Sequence, residues 1–137
     1  MLTINQPAPD FILPDQNGTP HTLSQYRGAY VLLYFYPKDD TPGCTKEACG
    51  IRDAFPDFQK LNIRVFGVST GSVASHKKFA EKYKLPFTLL ADETKEVVHL
   101  YNVSSRTSFL IGPDGVIKKI YEKVRPETHA ADVLASM

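Results

Sequence analysis

Residues 30–36, Tyr-Val-Leu-Leu-Tyr-Phe-Tyr, form a near-continuous apolar run with no polar alternation, which predicts a strand covered on both faces at the centre of a sheet. The segments that follow supply the cover. Apolar positions at Cys44, Ala48, Ile51, Phe55 and Phe58 recur at helical spacing and predict a helix with one inward face, kinked or ended by Pro56. Residues 63–68 read as a second buried strand, residues 72–84 as a helix with Val73, Phe79, Ala80 and Tyr83 inward, and residues 87–90 as a third strand. A short helix over residues 94–101 comes next, then a hairpin of residues 107–111 and 116–121 across Pro113-Asp114-Gly115. Pro126 is expected to open a last helix at its first position, with Ala130, Val133, Leu134 and Met137 facing the core. Upstream, Phe11-Ile12-Leu13 and His21-Thr22-Leu23 flank Asp15-Gln16-Asn17-Gly18 as a short hairpin. The order predicts an α/β fold: a central mixed β-sheet flanked by helices on both faces, with an N-terminal β-hairpin, in one domain over residues 1–137.

The only two cysteines, Cys44 and Cys49, sit directly after the central run in Thr41-Pro42-Gly43-Cys44-Thr45-Lys46-Glu47-Ala48-Cys49. Thr41 is a good N-cap and Pro42 a good first helical residue, so together they specify where the helix begins and put Cys44 in its first turn. Unpaired backbone N–H groups and the positive end of the helix dipole favour a thiolate there, which makes Cys44 a candidate nucleophile. A chain of 137 residues does not need a disulfide framework, and two cysteines in a reducing compartment are catalytic, metal-binding or inert more often than bridged. Taken alone, the pair reads equally well as two buried, inert side chains.

Other function classes fit poorly. Charged residues make up 23% of the chain with a net charge of +1, so neither a nucleic-acid footprint nor an acidic-lipid anchor is indicated. A small molecule or another protein is the expected partner. Zinc is not expected, because Cys44 and Cys49 offer two ligands and His21, His76, His99 and His129 fall on separate elements without paired spacing. Each histidine reads as structural or surface, and His76, in phase with Val73, Phe79 and Tyr83, as a packed, hydrogen-bonded one. The start of the chain lacks the basic and apolar regions of a secretion signal and no run is long enough to span a bilayer, so the expectation is a cytoplasmic protein without membrane contact. On that expectation the sequon Asn102-Val103-Ser104 stays unglycosylated.

With strand, Thr-Pro-x-Cys and helix in place, the chain resembles the peroxiredoxins, specifically the Q-type group also called bacterioferritin comigratory proteins. The signature Pro-x-x-x-Thr-x-x-Cys stands as Pro37-Lys38-Asp39-Asp40-Thr41-Pro42-Gly43-Cys44, followed by the Q-type continuation Cys44 to Cys49. Phe11-Ile12-Leu13-Pro14-Asp15, Gly67-Val68-Ser69 and Arg106-Thr107-Ser108-Phe109-Leu110-Ile111 extend the resemblance over the whole chain. It implies a thioredoxin-like fold and a peroxidase that reduces hydrogen peroxide and organic hydroperoxides without cofactor or metal, recycled by thioredoxin, with a monomer expected. Cys44 would be the peroxidatic and Cys49 the resolving cysteine. In such a site Thr41, backbone N–H groups and an arginine stabilise charge on the leaving oxygen, and Pro37 shields the thiolate. Arg106 stands where the family places that arginine, and its planar fork suits contact with both thiolate and peroxide. Glu47, one turn after Cys44, either favours the helix N-terminus or orients Arg106. Only residues 102–105 separate Tyr101 from Arg106, a shorter loop than in relatives, which implies a more open site on that side.

Five residues along an α-helix separate two Cα atoms by about 8 to 9 Å, beyond the roughly 7 Å that a disulfide spans. The helix must therefore unwind before Cys49 can reach Cys44, and Gly43 and Gly50 weaken it locally. Two further readings remain open at this level: a peroxide-responsive redox sensor, and a thiol-disulfide oxidoreductase on the same fold.

Overall fold

The computed structural model describes residues 2–103 and 106–137. β1 (Ile12–Pro14) and β2 (Pro20–Thr22) form the antiparallel entrance hairpin. Asp15 turns the chain by accepting the backbone N–H groups of Asn17 (2.8 Å) and Thr19 (3.0 Å), and Gly18 takes the left-handed conformation at φ 82°. β3 (Tyr30–Phe35) follows, then α1 (Pro42–Asp53), α2 (Phe55–Lys60) and β4 (Ile63–Ser69). The predicted break falls at Ala54, with Pro56 in the first turn of α2, where its missing N–H costs nothing. α3 (Val73–Tyr83), β5 (Thr88–Ala91), α4 (Glu96–Leu100), the hairpin β6 (Thr107–Ile111) with β7 (Ile117–Tyr121), and α5 (His129–Ala135) complete the chain.

The main sheet has the order β5-β4-β3-β6-β7, so the apolar run occupies its centre as expected. β3, β4 and β5 run parallel, β6 is antiparallel to β3, and β7 to β6, which makes the sheet mixed. Alternate β3 side chains go to opposite faces. Leu32, Tyr34 and Tyr36 pack with Cys44, Ala48, Ile51, Phe58, Phe79 and Val133, whereas Val31, Leu33 and Phe35 pack with Leu13, Val97, Tyr101, Phe109 and Ile117. The helix carrying Cys44 is thus held on one face of the sheet by its own apolar stripe.

Two expectations at the C-terminal end are corrected. Pro126 does not open the last helix: it lies in a turn whose Thr128 and His129 N–H groups both bond the Arg125 carbonyl (3.2 and 3.0 Å). Thr128, at φ −122°, interrupts the helical run, and α5 begins at His129. Met137 is 43% exposed because the helix ends at Ala135, two residues short of it. α4 also starts later than expected, at Glu96, because Lys95 adopts a left-handed conformation and buried Asp92 accepts the N–H groups of Val97 (3.2 Å) and Val98 (2.8 Å).

Gly67 is required where it stands. A Cβ there would lie 2.7 Å from Tyr34 Cζ and 2.9 Å from Leu89 Cδ2, both in the packed core. Gly67→Ala is expected to destabilise the fold by about 1–3 kcal/mol through overpacking, measurable as a lower midpoint in urea at unchanged slope.

Candidate active site

The site forms where β3 ends and α1 begins. Thr41 has the extended backbone of an N-cap (φ −94°, ψ 156°), its carbonyl accepts the Thr45 N–H at 2.8 Å, and Cys44 is the third helical residue. The Thr41 hydroxyl does not cap the helix: it donates to the Lys38 carbonyl at 3.0 Å. In this arrangement the oxygen's lone pairs remain available to accept. Cys44 is 1% exposed and Cys49 partly exposed. Both are free thiols on one uninterrupted helix, as the spacing argument requires.

Arg106, immediately before β6, reaches back across the sheet to Cys44. Its Nη1 and Nη2 each donate to Cys44 Sγ at 3.4 Å, and Nη1 also donates to Glu47 Oε1 at 2.8 Å. Its backbone is pinned by the Val124 N–H, which donates to the Arg106 carbonyl at 3.1 Å. Gly43 makes room for the guanidinium, since a Cβ there would stand 3.0 Å from Arg106 Nη2. Gly43 therefore has a steric role besides weakening the helix.

Glu47 is fully buried and does orient Arg106. Burial pushes its carboxyl up to about 7 against the opposing pull of Arg106. Burial disfavours the charge on Arg106, yet the hydrogen bonds it donates to Glu47 and Cys44 hold it above the ordinary arginine range. Glu47 Oε2 and Tyr34 Oη, both buried, find no hydrogen-bond partner among the described residues. Burial, with the nearby Glu47 and Cys44, pushes the Tyr34 phenol far above its usual range.

Pro37 lies exposed in the loop between β3 and α1, its carbonyl accepting the Ser69 hydroxyl at 3.3 Å. The expected short loop includes residues 104 and 105 and the sequon ends at residue 104, and both of these residues lie outside the described residues. His76 is packed and hydrogen-bonded as expected, and His129 is buried against Ser108 Oγ at 2.8 Å, with burial pushing its imidazole down to about 4. Asp39 and Asp40 escaped the sequence reading. Each turns out to be bonded to α3, and the only sequence signal was their place inside the Pro37 to Cys44 signature. Among the described residues no three His, Cys, Asp or Glu side chains gather as metal ligands, and no helix is long and apolar enough to cross a membrane.

A family model described as AhpC/TSA matches residues 4–120. Peroxiredoxin Bcp of Bacillus subtilis is 39% identical, covering 99% of this chain and 95% of its own, and chloroplastic peroxiredoxin Q of Arabidopsis thaliana is 46% identical, covering 94% and 64%. The solved structure of a cysteine-to-serine mutant of Xylella fastidiosa PrxQ superposes with a TM-score of 0.95 at 31% identity, covering 99% of this chain and 95% of that one.

The raised carboxyl of Glu47 has a measurable consequence. Between the ordinary glutamate value of 4.5 and about 7, the unfolded chain gives up this proton while the folded chain keeps it, so rising pH favours unfolding across that window. Buried His129 acts in the opposite sense between about 4 and its ordinary value of 6.5, so the contribution of Glu47 is read as a difference between two proteins. Urea midpoints of wild type minus Glu47→Gln should fall from pH 4.5 to 7 and level off above. A flat difference would place the titration elsewhere.

Proposed function

We propose, from the premise that the chain belongs to the AhpC/TSA family and is a thiol-dependent peroxidase, that Cys44 is its peroxidatic cysteine and Cys49 its resolving cysteine. The observation that supports this most directly is the fork of Arg106, with two donors 3.4 Å from Cys44 Sγ at the start of α1. Cys44 attacks one peroxide oxygen; an S–O bond forms, the O–O bond breaks, and the departing oxygen takes a proton to leave as water or alcohol. Arg106 stabilises the charge that builds up during this displacement, from a position already fixed by Glu47. Thr41 Oγ1, its proton committed to Lys38, accepts the hydroxyl proton of the bound peroxide and so orients it.

The product is a sulfenic acid on Cys44. Cys49 then attacks that sulfur, forming the disulfide and releasing water, after the turns of α1 between them have opened. Because opening exposes Cys44, an external dithiol can attack the disulfide, and thioredoxin is the proposed reductant. A thiol-disulfide oxidoreductase is the weaker reading, because it would require the second thiol within immediate reach of the first.

A coupled assay following NADPH with thioredoxin, thioredoxin reductase and hydrogen peroxide tests the assignment. Cys44→Ser should abolish turnover, and Cys49→Ser should consume one equivalent of peroxide and stop with sulfenic acid on Cys44. Arg106→Lys should lower kcat/KM by about 10²- to 10³-fold, since an ammonium cannot reproduce the fork. Normal turnover by Cys44→Ser would overturn the assignment.

A further inference from the structure

The loop that leads into α1 is fastened to a helix that takes no part in the thiol chemistry. Asp39, with 5% side-chain exposure, receives three hydrogen bonds: from Tyr36 Oη at 2.6 Å, Ser75 Oγ at 2.7 Å and His76 Nδ1 at 2.6 Å. His76 is wholly buried, and its Nε2 stands 3.0 Å from the Leu90 carbonyl. A carbonyl and a carboxylate can only accept, so both bonds exist together when both ring nitrogens carry protons. The side chains of Asp39 and His76 thus join the loop to α3 through buried polar contacts. Burial raises the Asp39 carboxyl, but the bonds from His76, Tyr36 and Ser75 outweigh it and hold the group below the usual aspartate range.

The next residue repeats the attachment at the surface. Asp40, in a left-handed conformation at φ 56°, accepts Lys82 Nζ at 2.8 Å and Tyr83 Oη at 2.7 Å, from the last turns of α3. Gly71 closes the buried side, since a Cβ there would lie 3.2 Å from His76 Cε1 and 3.3 Å from Asp39 Oδ2. With Ser69 on the Pro37 carbonyl, the loop is held at Pro37, Asp39 and Asp40. Immediately downstream, α1 contains Gly43 and Gly50.

We propose that Asp39 and His76 are positioning residues whose buried hydrogen bond marks the upstream limit of unwinding: the loop stays docked on α3, and only the chain beyond Asp40 opens when Cys49 attacks. The pair acts through the start of α1. It holds Cys44 in line with Arg106 for oxidation and confines the later opening to the segment that carries both cysteines. This rests on the roles of Cys44 and Cys49 proposed above.

Hydrogen exchange of the wild-type enzyme, reduced and after one equivalent of peroxide, tests the limit directly. Intact mass first establishes the disulfide as a loss of two hydrogens; without it the role of Cys49 fails, and this proposal with it. Where the disulfide is present, amides of residues 45–50 should lose their protection, while the ring nitrogen signals of His76, read by NMR, should stay as in the reduced enzyme because Asp39 remains bonded to it. Loss of the reduced-form His76 signals together with the α1 protection would overturn the proposal. As a kinetic arm, Asp39→Asn should slow oxidation of Cys44 by on the order of 10- to 100-fold in stopped flow without slowing disulfide formation. Ile117→Ala, which creates a cavity on the opposite face of the sheet, should leave the oxidation rate unchanged. The same slowing in both variants would reduce Asp39 to a general stabiliser and overturn its positioning role.

Discussion

The guanidinium of Arg106 ties the helix carrying Cys44 to the start of the hairpin β6-β7. One nitrogen serves both the sulfur and Glu47, and the other completes the fork on the sulfur. A buried carboxylate facing a buried sulfur would be electrostatically unfavourable without this cation between them. Without Arg106, the buried Glu47 carboxyl, already raised to about 7, would be pushed further toward its protonated form. Gly43, Glu47 and the Val124 hydrogen bond all contribute to keeping the fork in place. The site is therefore preorganised by tertiary packing, which is what charge stabilisation in a short-lived displacement requires.

That arrangement is built on the central strand. β3 sends Tyr34 and Tyr36 to the face covered by α1, and its pairing with β6 brings the strand that follows Arg106 alongside. Tyr34 stands against Gly67, and its hydroxyl, like Glu47 Oε2, is buried without a partner among the described residues. Unsatisfied buried oxygens are destabilising.

On the roles proposed for Cys44 and Cys49, reactivity and resolution make opposite demands on α1. An intact first turn holds Cys44 against Arg106, whereas bond formation with Cys49 needs the turns between them open. The fold separates these demands along the chain. Attachments to α3 concentrate at Asp39 and Asp40, upstream of Thr41, and the glycines lie at residues 43 and 50. The two glycines weaken α1 locally, between attachments that hold the loop upstream of it.

Much of this was legible in the residues. The unbroken apolar run specified a central strand, helical spacing from Cys44 to Phe58 specified the covering helix, and Thr41-Pro42 specified its start, because periodicity and capping are local properties. The late start of α5 was not legible, since a proline suits a turn as well as a first helical turn and the hydrogen bonds of Arg125 decide between them. Nor was the direction of the Thr41 hydroxyl, which depends on a carbonyl three residues upstream that a cap residue need not meet. By itself the sequence determined that two cysteines share one helix and cannot be bonded while it is intact, a consequence of the rise per residue alone. Only the tertiary structure decided that Glu47 is a buried partner of Arg106 and that Asp39 is paired with His76, because partners 59 and 37 residues apart meet only after the sheet has formed.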